Sequence, residues 1–350
     1  MKVLHLAAGN RWTGAAAPAF AEVEALRAAG VDAHYAYVGG YKLQAKLAHH
    51  DFAHPLIEKA QNPFSFTRTL EKLDQMIEQH GFDILHAHLT YDHWLARTLI
   101  RGRVIALART FHARRVLRRD PLTRMLLGRT DLCFVINNAF RDAPLLRQCD
   151  PVFTPPPVDH QQFVPDGPNA RDLYRIPAEA TVITAIGKLS QNRGFEDALR
   201  TFALLRSKIA HARMMIIGHG EHGPALEVLA QSLGIANDVT WAGYHEDDLA
   251  EHYRASNLLL FTARGSDEGH RAILEAMACG VPPAAYPLEG MRALVDEMHI
   301  ASAATPAALA ATAAVLLSRA PLRDAMVERS LEFSYPRAAR RLLDAYDDVG

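Results

Sequence analysis

The chain reads as an α/β protein built from two similar halves. Three observations lead there. Short apolar runs of strand character alternate with helical patterns over nearly the whole length, which calls for parallel sheets covered on both faces. The alternation breaks once, at Thr154-Pro155-Pro156-Pro157, and then restarts. Proline locks φ and removes donors, so this stretch is a stiff hinge rather than another element. Finally, 350 residues is two domains' worth of chain at roughly 100–200 residues per domain.

Each element has its own signal. Residues 2–8 form a buried strand, and Gly9 to Gly14 a loop. Phe20, Val23 and Leu26 recur every third residue on one helical face, which Ala28-Ala29-Gly30 ends. Strands follow at 32–38, 82–87, 103–110 and 131–136, with helical patterns between them. After the hinge, strands are expected at 181–186, 214–217, 239–242, 258–262 and 283–286. The helices between them fall at 195–206, 224–233, 247–255 and 270–279. In the first of these, Ala198, Leu199, Phe202 and Leu205 share a face. From Pro306 onward the pattern is helical. Ligands of such folds bind beyond the carboxyl ends of the strands, which with two facing halves means the cleft between them.

Composition narrows the function classes. With 49% hydrophobic and 22% charged residues, disorder is excluded as the main state. The three cysteines, Cys133, Cys149 and Cys279, form no C-x-x-C pair. That argues against a disulfide framework or a cysteine zinc site and fits a reducing, cytoplasmic compartment. A net charge of −1 makes nucleic acid an unexpected partner. Val3 to Ala8 is too short for a signal-peptide core and His5 interrupts it. No run approaches the ~18 apolar residues of a spanning helix. The expectation is a cytoplasmic protein, at most peripheral to the inner face of a membrane.

The densest chemistry lies in the segment from Gly265 to Pro282, which reads Gly-Ser-Asp-Glu-Gly-His-Arg-Ala-Ile-Leu-Glu-Ala-Met-Ala-Cys-Gly-Val-Pro. A polar loop there leads into a helix starting around His270, whose first N–H groups suit an anion. Asp267 and Glu275 are separated by seven residues. They could hold different hydroxyls of one ligand. Alternatively, Asp267 caps the helix and Glu275 is merely solvated.

Asp267 to Pro282 resembles the acidic-x7-Glu motif, followed by Glu-Ala-Met-Ala-Cys-Gly-Val-Pro, of the retaining GT-B glycosyltransferases of family four, the glycosyl transferases group 1. The usual first acid is glutamate; in this chain Asp267 takes the place, or Glu268 if one residue is missing. Gly187-Lys188-Leu189-Ser190-Gln191-Asn192-Arg193-Gly194 resembles the segment that binds the donor diphosphate, with the order of Arg and Lys exchanged. Gly218-His219-Gly220 and Trp241-Ala242-Gly243-Tyr244 resemble two further strand ends of the donor site. Thr13-Gly14-Ala15 keeps part of a glycine-rich loop, and Arg109-Thr110-Phe111-His112 matches the position of an active-site histidine. His86 and His88 compete for that role. Pro157-Val158-Asp159 to Phe163 resembles the segment after the hinge. Leu288-Glu289-Gly290 departs from the family's glycine pair. Phe333 to Pro336 and the amphipathic helix after it resemble the helix that crosses back to the first domain.

The resemblance implies two Rossmann-like domains facing across a cleft. Residues 1–155, rejoined by 335–350, would form the acceptor domain, and 156–334 the nucleotide-sugar donor domain. It implies sugar transfer from a nucleotide-diphosphate donor to a hydroxyl acceptor with retention, in glycan, lipopolysaccharide or glycolipid assembly. His112, Lys188, Arg193 and Asp267 would carry the chemistry. Gly14, Gly187, Gly218, Gly220, Tyr244, Glu268, Gly269, His270, Arg271 and Glu275 would line the donor. No metal and no cofactor beyond the donor are expected.

Residues 109–129 hold seven arginines (109, 114, 115, 118, 119, 124 and 129) opposed only by Asp120. They form either a solvated face or the contact for an anionic or lipid-linked acceptor or anionic lipid headgroups. A nucleotide-sugar epimerase or hydrolase of the same fold is an alternative, as is a non-catalytic nucleotide-sugar-binding protein. A dinucleotide dehydrogenase is disfavoured, because no Gly-x-Gly-x-x-Gly follows the first strand.

Overall fold

The computed structural model describes the chain except residues 11, 13, 61, 265–269, 320, 321 and 350. The chain divides into two compact units, Met1–Pro157 with Phe333–Gly350, and Val158–Glu332.

In the first unit, β1 (Lys2–Ala7), α1 (Ala16–Ala28), β2 (Asp32–Val38), α2 (Lys42–Leu47), β3 (Ala53–Ile57), α3 (Pro63–His80) and β4 (Ile84–Ala87) come first. They are followed by α4 (Thr90–Leu99), β5 (Ala106–Phe111), α5 (Pro121–Leu127), β6 (Leu132–Val135) and β7 (Val152–Phe153). The strands form one parallel sheet in the order β3-β2-β1-β4-β5-β6-β7. The order reverses between β1 and β4, and at such a switch point the loops at the strand carboxyl ends splay apart and leave room for a ligand.

One face of this sheet packs Val3, Tyr35, Tyr37 and Phe134 under Phe20, Val23 and Leu26 of α1. The other packs Leu4, Leu6 and Leu85 under Leu73, Ile77, Leu95 and Leu99 of α3 and α4. Asn62 starts α3, its side chain accepting the N–H of Ser65, and Gly81 ends it in the left-handed region at φ 64°.

In the second unit the elements are β8 (Thr181–Ile186), α6 (Phe195–Arg206), β9 (Ala212–Ile217), α7 (Gly223–Ser232), β10 (Val239–Gly243), α8 (Leu249–Arg254) and β11 (Leu258–Phe261). Next come α9 (Arg271–Ala278), β12 (Pro283–Ala285), α10 (Pro306–Ser318) and α11 (Arg323–Ser330). The parallel order β10-β9-β8-β11-β12 switches between β8 and β11. Phe195, Leu199 and Phe202 of α6 and Leu309 and Ala313 of α10 cover one face over Ile183, Met214 and Ile216. At the start of this unit, Asp159 accepts the N–H of Gln161 at 2.7 Å, and buried Phe163 meets Tyr253 edge-on.

The last helix, α12 (Tyr335–Asp347), belongs to the first unit. Ala338 and Ala339 lie against Ala25 of α1. Leu342, Ala345 and Tyr346 enter the α1 core, and the Tyr335 hydroxyl donates to Glu24 at 2.9 Å.

Two strands depart from the sequence expectation, which read helix-like pattern through their region or none at all. β3 contains Pro55 and pairs only with β2, with a register shift between Ala36 and Val38. Proline is tolerated on an edge strand because its missing N–H faces no partner. β7 is two residues long and pairs only with β6.

Candidate functional site

In the second unit, β8 and β9 end in loops that lie against each other. The chain leaves β8 through Gly187 at φ 146° and β9 through Gly218 at φ 141°. A Cβ on Gly218 would collide with the Gly187 carbonyl, and one on Gly220 with the Leu189 carbonyl. Backbone hydrogen bonds zip the segments together: Gly187 N–H to Ile217 O at 3.0 Å, Leu189 N–H to His219 O at 3.1 Å, and Gly218 N–H to Gly243 O at 2.7 Å. The absent side chains are therefore demanded first by the approach of two protein backbones. Gly194 is likewise pressed on the Thr262 carbonyl, which brings the loop after β8 beside the loop after β11 at the switch point.

This anchored loop carries Lys188 and Arg193. Lys188 is exposed, with Nζ 3.2 Å from a carboxylate oxygen of Glu221. Glu221, which sequence reasoning passed over, is held below the usual carboxylate range by its own backbone amide and then by Lys188. Arg193 closes a short 3-10 turn over Gln191–Arg193 just before Gly194, with a guanidinium nitrogen near Gly187.

Asp267, Glu268 and Gly269 lie outside the described residues. His270 immediately precedes α9 in the left-handed region, φ 52° and ψ 36°. That conformation is strained for a side chain with a Cβ, and such strain concentrates at ligand sites. Its ring is buried edge-on to Phe261, and Nε2–H donates to the Glu289 carbonyl at 3.0 Å. Nδ1 is thereby left as a bare acceptor, buried without a partner.

Glu275 is not solvated. It is buried on α9, accepting from Arg271 Nε at 2.8 Å and from the Tyr253 hydroxyl at 3.1 Å. Tyr244, by contrast, is 65% exposed after the left-handed Gly243, and its hydroxyl donates to Glu246 at 2.7 Å. Burial and then Glu246 push the Tyr244 phenol up to about 12.

The first unit places Gly14 in a left-handed turn before α1, with no atom near where a Cβ would stand. His112 directly follows β5 and does not stand alone. Its Nε2 meets His88 Nδ1 at 2.9 Å, and His88 Nε2 meets His5 Nδ1 at 2.9 Å. The Tyr346 hydroxyl of α12 lies 3.4 Å from His5 Nε2 and 2.6 Å from His86 Nδ1, and His86 Nε2 meets Thr110 Oγ1 at 2.7 Å. His86 and His88 were set against His112 as rivals by sequence; here all three belong to one chain of hydrogen bonds. His86 lies on β4 and His88 just past its end, and His5 pairs with His86 in register across β1 and β4.

Beside this chain lies Glu22 of α1, 1% exposed, with both oxygens lacking a hydrogen-bond partner and one of them 3.7 Å from His5 Nδ1 and His88 Nε2. Burial pushes its carboxyl up to about 8. His112 is pulled down to about 3 by burial and then by Arg109, and His5 to about 3 by burial alone. Asp92 fixes the adjoining loop by accepting N–H bonds from Ala8, His88 and Leu89.

The arginine run needs one correction. Arg109 is buried on β5, 2% exposed, and belongs to the environment of the histidines. The other six are exposed. Among them stand Leu122 at 61% and Met125 at 43% exposure, three residues apart on α5.

Two doubly wound parallel sheets in one chain, with the last helix returned to the first of them, define the GT-B architecture of glycosyltransferases. The chain belongs to glycosyltransferase family four. Residues 12–162 match the family model described as Glycosyltransferase Family 4, and residues 180–319 the model described as Glycosyl transferases group 1. It is 27% identical over 316 residues to D-inositol 3-phosphate glycosyltransferase of Geodermatophilus obscurus, covering 81% of this chain and 70% of that protein. A shorter stretch of 139 residues is 32% identical to mannosylfructose-phosphate synthase of Agrobacterium fabrum, 37% of this chain and 30% of that one. The chain thus spans under a third of the second relative. Among solved structures, a glycosyltransferase from Rickettsia africae superposes with a TM-score of 0.83 over 99% of this chain and 98% of its own, at 16% identity.

Proposed function

We propose that this glycosyltransferase moves a sugar from a nucleotide-diphosphate donor to a hydroxyl acceptor, keeping the anomeric configuration and using no metal. The observation that carries the reading is the pairing of Lys188 and Arg193 on a loop braced by glycines at the switch point of the second sheet. Bond cleavage builds negative charge on the leaving diphosphate. Two cations fixed beforehand stabilise it without the reorganisation that water would need. Glu275, already oriented by Arg271 and Tyr253, takes ribose hydroxyls. His270 Nδ1 and Asp267 take hydroxyls of the donor sugar. Tyr244 is assigned to the base, and the start of α9 at Arg271 to the phosphates. His112 Nδ1, buried without a partner, accepts a hydroxyl of the sugar or the acceptor.

The acceptor is read as anionic or lipid-linked, and the protein as working against a membrane face. Six exposed arginines on one segment attract anions, and Leu122 and Met125 give that patch an apolar centre. The relatives' names point the same way, since one names an inositol phosphate and the other a phosphorylated product. Among the described residues no helix is long and apolar enough to cross a membrane.

The test is transfer from a panel of nucleotide sugars to D-inositol 3-phosphate and to uncharged inositol, with and without EDTA. The expected result is a product linked with the donor's own anomeric configuration, formed equally in EDTA and preferentially on the phosphorylated acceptor. Inversion, or loss of turnover in EDTA restored by a divalent cation, would overturn the mechanism. Donor hydrolysis without transfer would favour the hydrolase or epimerase alternative.

A further inference from the structure

The hydrogen-bonded chain beneath His112 has a direction, and the direction can be read from proton counting. A neutral imidazole has one N–H and one bare nitrogen, and a tyrosine has one proton to donate. The Tyr346 hydroxyl stands 2.6 Å from His86 Nδ1 and 3.4 Å from His5 Nε2. The short contact takes the proton, because an O–H bond to a ring nitrogen is the closer and stronger of the two. His86 must then carry its proton on Nε2 and donate it to Thr110 Oγ1. The Tyr346 oxygen is free to accept from His5 Nε2–H, which makes His5 Nδ1 bare. His88 then donates from Nε2 to His5, leaving its Nδ1 bare, and His112 donates from Nε2 to His88. The last term of the series is His112 Nδ1, bare, buried and unpartnered.

We propose that Tyr346 of the C-terminal helix is a positioning residue for the active site: through His5 and His88 it fixes His112 in the tautomer whose Nδ1 accepts a substrate hydroxyl. This rests on the reading that His112 meets the substrate. The sequence separation of 234 residues between Tyr346 and His112 gives the returning helix a task besides covering the core. The environment keeps the chain neutral, as the tautomer argument requires. Burial first, and then the charge of buried Arg109, disfavours protonation of His86, His88 and His112. Glu22 holds its own proton through neutral pH, and Asp92 is occupied by three backbone donors.

A metal ion is the competing explanation for His5, Glu22, His86 and His88, whose ligand atoms lie within 4.8 Å of one another. Two nitrogens on one tetrahedral zinc, each about 2.0 Å from it, would stand about 3.3 Å apart. His5 Nδ1 and His88 Nε2 are at 2.9 Å, the spacing of a hydrogen bond, and both nitrogens of His86 already have partners.

Long-range 1H–15N correlation on histidine-labelled protein separates N–H from bare ring nitrogens. Wild type is expected to show His5, His86, His88 and His112 all neutral with the proton on Nε2. Tyr346→Phe removes one hydroxyl; His112 should then populate both tautomers, and transfer should fall about tenfold, one hydrogen bond's worth, with donor KM unchanged. A wild-type His112 protonated on Nδ1 would overturn the proposal whether or not the variant folds. So would a Tyr346→Phe protein with unchanged tautomers and rate, or one equivalent of zinc in the purified protein. His112→Ala separates the two readings. Full transfer in that variant would remove His112 from the substrate while leaving the wild-type tautomer pattern standing.

Discussion

Glu22 stands in a helix face that otherwise buries Phe20, Val23 and Leu26. An acid there, held protonated to about pH 8, is a stability statement. Unfolded, it ionises near 4.5. Between these values the unfolded chain releases a proton that the native one keeps, so stability falls as pH rises. His5, His93 and His112 act in the opposite range. Each is held neutral down to about 3 against an unfolded value of 6.5, so their stabilisation is present above 6.5 and is lost as pH falls. Three histidines outweigh one acid where the windows overlap. Melting temperature should therefore peak near pH 6.5 and decline on both sides, steeply on the acid side. Glu22→Gln should abolish the alkaline decline and raise the melting temperature at pH 8 by at least about 3 °C. An unchanged pH profile would refute the buried protonated acid. At Lys188, a donor phosphate bound as proposed has to compete with Glu221 3.2 Å away. Glu221→Gln should accordingly tighten nucleoside-diphosphate binding about threefold in calorimetry, roughly the worth of one exposed ion pair; weaker binding would mean that Glu221 orients Lys188 instead.

At the scale of elements, the loops after β8 and β9 act as one braced unit. Gly218→Ala introduces a methyl into the Gly187 carbonyl at a φ of 141°. The expected loss is about 3 kcal/mol in urea unfolding, combining backbone strain and overpacking. A loss below 1 kcal/mol would show that the loops part easily. The α5 segment belongs to a different prediction. Arg114→Glu with Arg115→Glu should raise acceptor KM about tenfold or more while leaving donor affinity unchanged, because each exposed arginine is worth about 1 kcal/mol against an anionic surface or headgroup. The element pattern itself was largely legible: Asp32–Val38, Thr181–Ile186 and Phe195–Arg206 run as expected. β3 was not, since His54 and Pro55 disguise an edge strand that needs few of its own hydrogen bonds. Buried Arg109 was misread as surface charge, because a charge run reveals nothing of which member points into a sheet.

For the whole molecule, the two-unit division and the return of α12 to the first unit place residues from both ends of the chain in one core. The motif residues of the second unit could be found from local spacing, since Lys188, Arg193, His270 and Glu275 lie within single loops or one helix. The histidine chain could not. It joins residues 5, 86, 88, 112 and 346, with Glu22 beside it, and only the parallel sheet and the returning helix bring these together. The signal that was present is the close spacing of His86 on β4 and His88 just past its end, and His5 inside an apolar strand.

The central claim is that the second unit grips a nucleotide-diphosphate sugar through Lys188 and Arg193. It is tested most directly by thermal shift across a panel of nucleotide sugars, for the wild type and for Lys188→Ala with Arg193→Ala. A ligand that binds only the native state must raise its melting temperature. The account predicts a clear rise with at least one nucleotide-diphosphate sugar, and its loss in the double variant with the ligand-free melting temperature unchanged. No rise with any of them, or an equal rise in the variant, would contradict it.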